Sequence, residues 1–147
     1  MIYTIGYHAL TPARLQLIAS RLGARVIDVR GGTMRAKSGF GRRQLEALLG
    51  EAYEWRGDRL GNRGTNRVTR EGIAELKQED QTKTLLLLCV CESPEGCHRH
   101  MQITGPHFPA ALHIWRDEVF TSAALQAAID EGEEAEYETV GCLHDFL

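Results

Sequence analysis

Three short clusters in this 147-residue chain combine residue types that can do chemistry. The first is Cys97-His98-Arg99, preceded by Cys89, Cys91 and Glu92. If the triplet opens a helix, it meets unpaired backbone N–H groups and a positive dipole end, which together attract anions. The same field lowers a thiol pKa, so Cys97 is a candidate nucleophile or a stabiliser of an anionic intermediate. His98 titrates near neutrality without help and is a candidate acid or base. Equally, Cys97 could be a small packed residue and His98 a loop cap. The second cluster is Asp28-Val29-Arg30. Alternation along a strand puts Asp28 and Arg30 on one face. Either they form an internal ion pair, or Asp28 orients the planar Arg30 fork toward a phosphate or carboxylate. The third cluster is the loop holding Arg35, Lys37, Phe40, Arg42 and Arg43 among glycines. A base stacked on Phe40, with the cations holding phosphates, would suit nucleic acid. A surface loop with Phe40 tucked onto the core would not.

The cysteines admit a metal reading as well. Cys89, Cys91, Cys97, His98 and His100 form a Cys-x-Cys-x5-Cys-His-x-His array, and zinc takes such ligands tetrahedrally. The set chosen for that alternative is Cys89, Cys91, Cys97 and His100. It competes with a reading in which no metal and no cofactor takes part, because two of the cysteines fall in or at the end of a buried strand. Cys142 and His144 are read as packing and surface residues.

These groups are far apart in sequence, so a scaffold must gather them. Apolar periodicity gives strands at 2–5, 26–29, 53–55, 84–91 and 111–115. Helices are expected at 12–22, opened by Thr11-Pro12 and closed by Gly23, and at 42–49, 71–79, 97–104 and 122–129. Residues 33–41 and 58–66 read as loops and 130–138 as a solvated acidic stretch. The last residues, 140–147, are apolar enough to dock on the domain. Alternation of strand and helix predicts one α/β domain over 1–147, with a parallel sheet covered by helices. In such a sheet ligands collect at the carboxyl ends of the strands. Tyr7 and His8 follow the first strand, Asp28 and Arg30 close the second, and the cysteine cluster follows the long apolar one.

Composition narrows the class of function. Residues 1–70 hold 13 Lys+Arg and 5 Asp+Glu, residues 71–147 only 4 and 15. The basic half suits phosphate or nucleic acid; pairing of the two halves on folding would neutralise both. There is no apolar run long enough for a membrane span, and the first residues do not read as a signal peptide. A cytoplasmic protein is expected, with scattered cysteines unlike a disulfide framework. No phosphate-loop or dinucleotide-binding glycine motif occurs, so neither an ATPase nor an ordinary dinucleotide enzyme is indicated.

In this order the motifs resemble the DUF488 family. The likeness runs through Thr4-Ile5-Gly6-Tyr7, Asp28-Val29-Arg30, Lys37-Ser38-Gly39-Phe40, Leu60-Gly61-Asn62, Leu87-Leu88-Cys89, Glu92, Cys97-His98-Arg99 and His113-Ile114. The chain departs from the family pattern at Gly31-Gly32-Thr33-Met34, at Ser38, and in having Cys91 and His100. The resemblance implies a single Rossmann-like three-layer domain with a mostly parallel sheet of about five strands. It implies no settled reaction. The expected function is an enzyme on a nucleotide or nucleic-acid-derived substrate, a hydrolase or a glycosidase- or transferase-like activity. Asp28, Glu92, Cys97 and His98 are its candidate catalytic residues. Tyr7, His8, Arg30, Lys37, Phe40, Arg42, Arg43, Cys89 and Arg99 are its candidate substrate-binding residues. A carboxylate beside a sugar would stabilise an oxocarbenium-like transition state. The alternatives are a non-catalytic nucleic-acid or phosphate-ligand module and a cysteine-based redox or zinc site. The sequence leaves the oligomeric state open.

Overall fold

A computed structural model of the chain describes residues 1–32, 36–132 and 138–147. Arg35 of the basic loop and most of the acidic 130–138 stretch lie outside the described residues.

The chain opens with β1 (Ile2–Gly6) and α1 (Pro12–Leu22). The Thr11 hydroxyl accepts the Arg14 N–H at 3.2 Å, Pro12 fills the first turn, and Gly23 closes the helix at φ 64°. Glycine suits that left-handed position because it has no Cβ to clash. There follow β2 (Arg25–Asp28), α2 (Arg42–Leu49), β3 (Tyr53–Trp55), the single turn α3 (Gly57–Leu60) and α4 (Arg70–Asp80). Next come β4 (Leu85–Cys89) and a helical stretch that starts as a π-turn, Arg99–Thr104, and runs into α5 (Gly105–His107). The chain ends with β5 (Leu112–Trp115), β6 (Glu118–Thr121), α6 (Ser122–Glu131), β7 (Thr139–Cys142) and a short 3₁₀ turn.

The strands form one seven-stranded sheet in the order β3-β2-β4-β1-β5-β6-β7. β3, β2, β4, β1 and β5 pair in parallel, while β5–β6 and β6–β7 are antiparallel. The sheet is therefore mixed and larger than the mostly parallel, five-stranded one expected. The two added strands are short, and β6 is reached through a two-residue turn with Arg116 at φ 57°. The usual hairpin dipeptides put Asn, Asp or Gly at such positions, so Arg116-Asp117 gave no turn signal. The single turn α3 likewise falls in a stretch expected to be loop.

Period-2 alternation divides the apolar residues between two cores. Val26, Leu86 and Leu88 face Leu15 and Ile18 of α1 and Leu45 of α2. Ile27, Leu85 and Leu87 face Ile73 and Leu76 of α4 and Ile103 of the π-turn. All five residues of β4 are buried, so this strand is covered on both faces. Beyond the strands, Tyr7 N–H donates to the Cys89 carbonyl at 3.0 Å and His8 N–H to Val90 at 3.1 Å, which carries the β1–β4 ladder into the loop after β4. Among the described residues no helix is long and apolar enough to cross a membrane.

Candidate functional site

The carboxyl end of β2 is organised by a fork. Arg30 Nε donates to Asp28 Oδ1 at 2.8 Å and Nη2 to Oδ2 at 2.7 Å, while Nη1 reaches the Phe40 carbonyl at 2.7 Å. The Tyr53 hydroxyl also donates to Oδ2 of the same carboxylate. Burial pulls the Arg30 pKa down, but hydrogen bonding and the charge of Asp28 outweigh it and hold the guanidinium charged. Burial first, then the Asp28 charge, pushes the Tyr53 phenol well up. Asp28 is wholly buried and its carboxylate is consumed by these contacts, so it offers no free base.

Above this fork the Tyr7 ring stacks on Phe40, with centroids 4.6 Å apart and planes 12° from parallel. The Arg30 guanidinium lies 5.2 Å from the Tyr7 centroid. Phe40 is fully buried, so it supports Tyr7 and presents no face to a base. Lys37 Nζ is taken by the carbonyls of His8 and Leu10, at 3.2 and 2.8 Å, and pins the loop after β1. His8 itself is exposed, and Arg42 pairs with Glu46 and covers the Trp55 ring at 4.4 Å. Arg43 is exposed on α2.

A cleft of about 590 Å³ opens at this edge, with Tyr7, Arg30, Gly31, Gly32, Arg63 and Asn66 among its walls. It adjoins a recess of about 130 Å³ walled by Arg30, Arg63, Cys89, Cys91, Cys97 and His98. The two share Arg30, Gly31, Gly32, Arg63 and Val90. Arg63 and Asn66 join the site without any motif in the sequence that marks them. They follow Leu60-Gly61-Asn62 in the Gly-, Asn- and Arg-rich loop. The approach of that loop is set by glycine: a Cβ on Gly61 would lie 2.5 Å from Gly31 Cα. Asn66 Nδ2 then donates to the Gly31 carbonyl at 2.7 Å.

In the recess, Cys89 ends β4 and Cys97-His98 lead into the π-turn, a geometry that recurs at functional sites. His98 Nε2 lies 2.9 Å from the Val29 carbonyl and 3.1 Å from that of Leu60. Carbonyls only accept, so Nε2 carries a proton and donates to both. The other ring nitrogen, Nδ1, lies 3.6 Å from Cys89 Sγ. One donor atom from each of Cys89, Cys97 and His98 falls within a sphere of contacts no wider than 4.8 Å, and all three residues are buried. A hydrogen bond from the Cys89 thiol, resisted by burial and aided by His98 and Arg99, drives Cys97 far below the ordinary thiol range. Cys89 moves up through the same bond and burial, and exposed Cys91 is raised by burial of its sulfur and by the Cys97 charge. Cys89 and Cys97 thus titrate as one coupled pair, the first proton leaving below the ordinary thiol range and the second above it.

Arg99 follows but does not reach the cleft. Its fully buried guanidinium donates to Thr4 Oγ1 at 3.1 Å, the Cys91 carbonyl at 2.7 Å and the Glu92 carbonyl at 3.2 Å. It positions the loop after β4, in place of the expected ligand contact. The Glu92 carboxylate pairs with Arg116 at 3.1 Å and lines a separate cavity of about 300 Å³ on the α1 side.

No family model, curated protein or solved structure matches the chain.

His100 points away from the cysteines. Its Nδ1 is 3.1 Å from His113 Nε2 and 2.8 Å from Ser122 Oγ, and its Nε2 is 3.0 Å from Gln126 Oε1. The zinc alternative drawn with His100 therefore has the wrong histidine: His98 is the one that joins Cys89 and Cys97. One turn of helix separates i and i+2 by more than a right angle, and the Nε2 anchors on Val29 and Leu60 select His98. The arrangement left at the recess can act either as an activated thiolate or as a set of soft metal donors.

Proposed function

We propose that this chain is an enzyme acting on a nucleotide or nucleic-acid-derived anion, held in the cleft between Arg30 and Arg63, with the Cys89–Cys97–His98 cluster as its reacting centre. The observation that carries this reading is that both arginines and the sulfur–imidazole cluster wall the same recess. The cleft volume is of the size that takes small ligands, and Tyr7 gives it an aromatic wall. Its place at the strand ends is where open α/β sheets bind ligands. Asp28 and Glu92 have no part in this reading, because the first is fully bonded and the second opens on another cavity. Membership of the DUF488 family belongs to the same proposal, as does a Rossmann-like form, in keeping with helices on both faces of the sheet. A reducing, cytoplasmic setting suits four free cysteines.

A non-catalytic binding module is the second reading. It is favoured by the absence of a free carboxylate among the described residues that wall the recess. Binding of inorganic phosphate, nucleoside monophosphates and short single-stranded oligonucleotides, measured across a salt series, tests the shared part of both. Arg63→Ala is the informative variant, since Arg30 also holds the fold. Losing one charged contact should weaken anion binding about 10-fold or more, and the wild-type affinity should fall as salt rises. Binding of none of these anions, or equal binding by Arg63→Ala, would sink the proposal. Turnover of a bound nucleotide then separates the enzyme from the module.

A further inference from the structure

Packing of the two cysteines does not account for how His98 is held. A histidine meant only to cap a loop needs one partner; this ring is fixed through Nε2 by two backbone carbonyls from different segments, Val29 after β2 and Leu60 in α3. The consequence is a ring whose Nδ1 is locked toward two sulfurs. Anchoring one ring nitrogen on carbonyl oxygen is the usual way a metal-bound imidazole is oriented and its tautomer fixed.

Distance agrees with this. Zinc bonds of about 2.3 Å to sulfur and about 2.0 Å to nitrogen, at a tetrahedral angle, require an S···N edge of about 3.5 Å. Cys89 Sγ and His98 Nδ1 are 3.6 Å apart. Cys97 Sγ completes a triangle in which no donor pair is wider than 4.8 Å. We propose that Cys89 Sγ, Cys97 Sγ and His98 Nδ1 bind one zinc ion, whose fourth position is taken by water on the side of the recess walled by Arg30 and Arg63.

Two sulfurs and one imidazole are a donor set that selects zinc over the hard cations magnesium and calcium. Bound zinc takes both sulfurs as thiolates, which cancels its charge and places no net charge in the buried corner. Three protein ligands with one exchangeable position is the form of a catalytic site; four would close it. Cys91 walls the recess but does not meet the mutual distances that unite the other three, so it is left outside the ligand set. The metal assignment stands on these donors alone, whereas its role toward a bound anion rests on the function proposed above.

The test begins with the full chain, purified in reducing buffer, stripped with chelator and exposed to zinc or cobalt alone. Wild type and Cys91→Ser should each retain about one zinc per chain after gel filtration. Cobalt should give the intense sulfur-to-metal charge-transfer band of thiolate ligation. Cys97→Ser and His98→Ala should retain far less metal. Zinc should also shield Cys97 of wild type from alkylation, located by mass spectrometry, and chelation should restore the reaction. That last readout needs no variant and so does not depend on whether a variant folds. Wild type that retains no zinc, and whose Cys97 alkylates equally fast with and without it, would overturn the site and leave an activated thiolate. Loss of metal in Cys91→Ser would overturn the open fourth position. Arg63→Ala should keep its zinc while losing anion binding, so failure of the metal site and failure of the anion site give different results.

Discussion

At the scale of single residues, the ion pair at the end of β2 decides what Arg30 can be asked to do. Both side chains are almost wholly buried, and the fork uses Nε, Nη1 and Nη2 together. Removing one partner of a buried pair leaves the other charge unpaired, at about 3–5 kcal/mol, whereas removing both is much better tolerated. Arg30→Met should therefore lower the stability read from denaturant midpoints by an amount in that range. Asp28→Leu combined with Arg30→Met should recover a large part of it. A single-variant loss below about 1 kcal/mol would show that the pair is not the anchor described here. This residue-scale view also explains what could be read from sequence. Asp28-Val29-Arg30 and Cys97-His98-Arg99 announced charge and sulfur at strand ends, because alternation and helix-start chemistry are local. Where the long side chains went was not local. Arg99 turned into the protein to reach Thr4 and two carbonyls, Phe40 went beneath Tyr7, and Arg63 came in from a loop whose path depends on Gly61 passing Gly31. Spacing alone has no means of choosing among those destinations.

Between elements, close approach of backbone is what brings the cysteine loop to the sheet. A Cβ placed on Gly6, at the end of β1, would lie 1.5 Å from the Cys91 carbonyl oxygen and 2.9 Å from the Glu92 nitrogen. Those atoms are held by Arg99 and by the ladder that continues from Tyr7, so neither strand end can give freely. Gly6→Ala should destabilise at or above the upper end of the ~1–3 kcal/mol typical of overpacking. It should also displace the loop that leads to Cys97, weakening metal retention. Gly32→Ala is the matched control, since a Cβ there meets nothing within 4 Å. Equal thermal stability of the two variants would contradict the tight β1–β4 junction. The parallel elements were legible because long apolar runs and Thr, Pro and Gly boundaries mark them locally. β6 and β7 were not, because β7 buries none of its four residues and so has no apolar run, and the turn between β5 and β6 uses Arg116 where glycine or asparagine would have signalled it.

For the molecule as a whole, the uneven charge of its two halves is partly resolved by folding. Arg56 bonds Glu79 and Arg59 bonds Glu75, so two cations of the basic half serve α4 and are not offered to a ligand. Acid stability, by contrast, draws on groups held below their ordinary values, Cys97 and Glu79 among them and, near neutrality, the buried histidines His113 and His100. Burial first, then the Arg99 charge and His100, pushes His113 down to about 2, and burial likewise lowers His100. Thr4, Thr104, Ser122 and Gln126 supply further contacts of that network, all of them uncharged. In the unfolded chain these rings return to about 6.5. Below that pH the unfolded state binds protons that the native state refuses, so stability is full above the unfolded value and is lost as pH falls toward the native one. His113 alone contributes a slope of up to about 1.4 kcal/mol per pH unit, and His100 steepens it over a narrower window. Urea midpoints from about pH 8 to about pH 5, with chelator present so that bound metal does not contribute, should fall in wild type. His113→Gln retains a hydrogen-bonding side chain but cannot take up the proton, so its midpoint should start lower and decline less. Parallel pH profiles for the two proteins would mean that His113 is already charged in the native state, beside the Arg99 guanidinium that shares Thr4 with it.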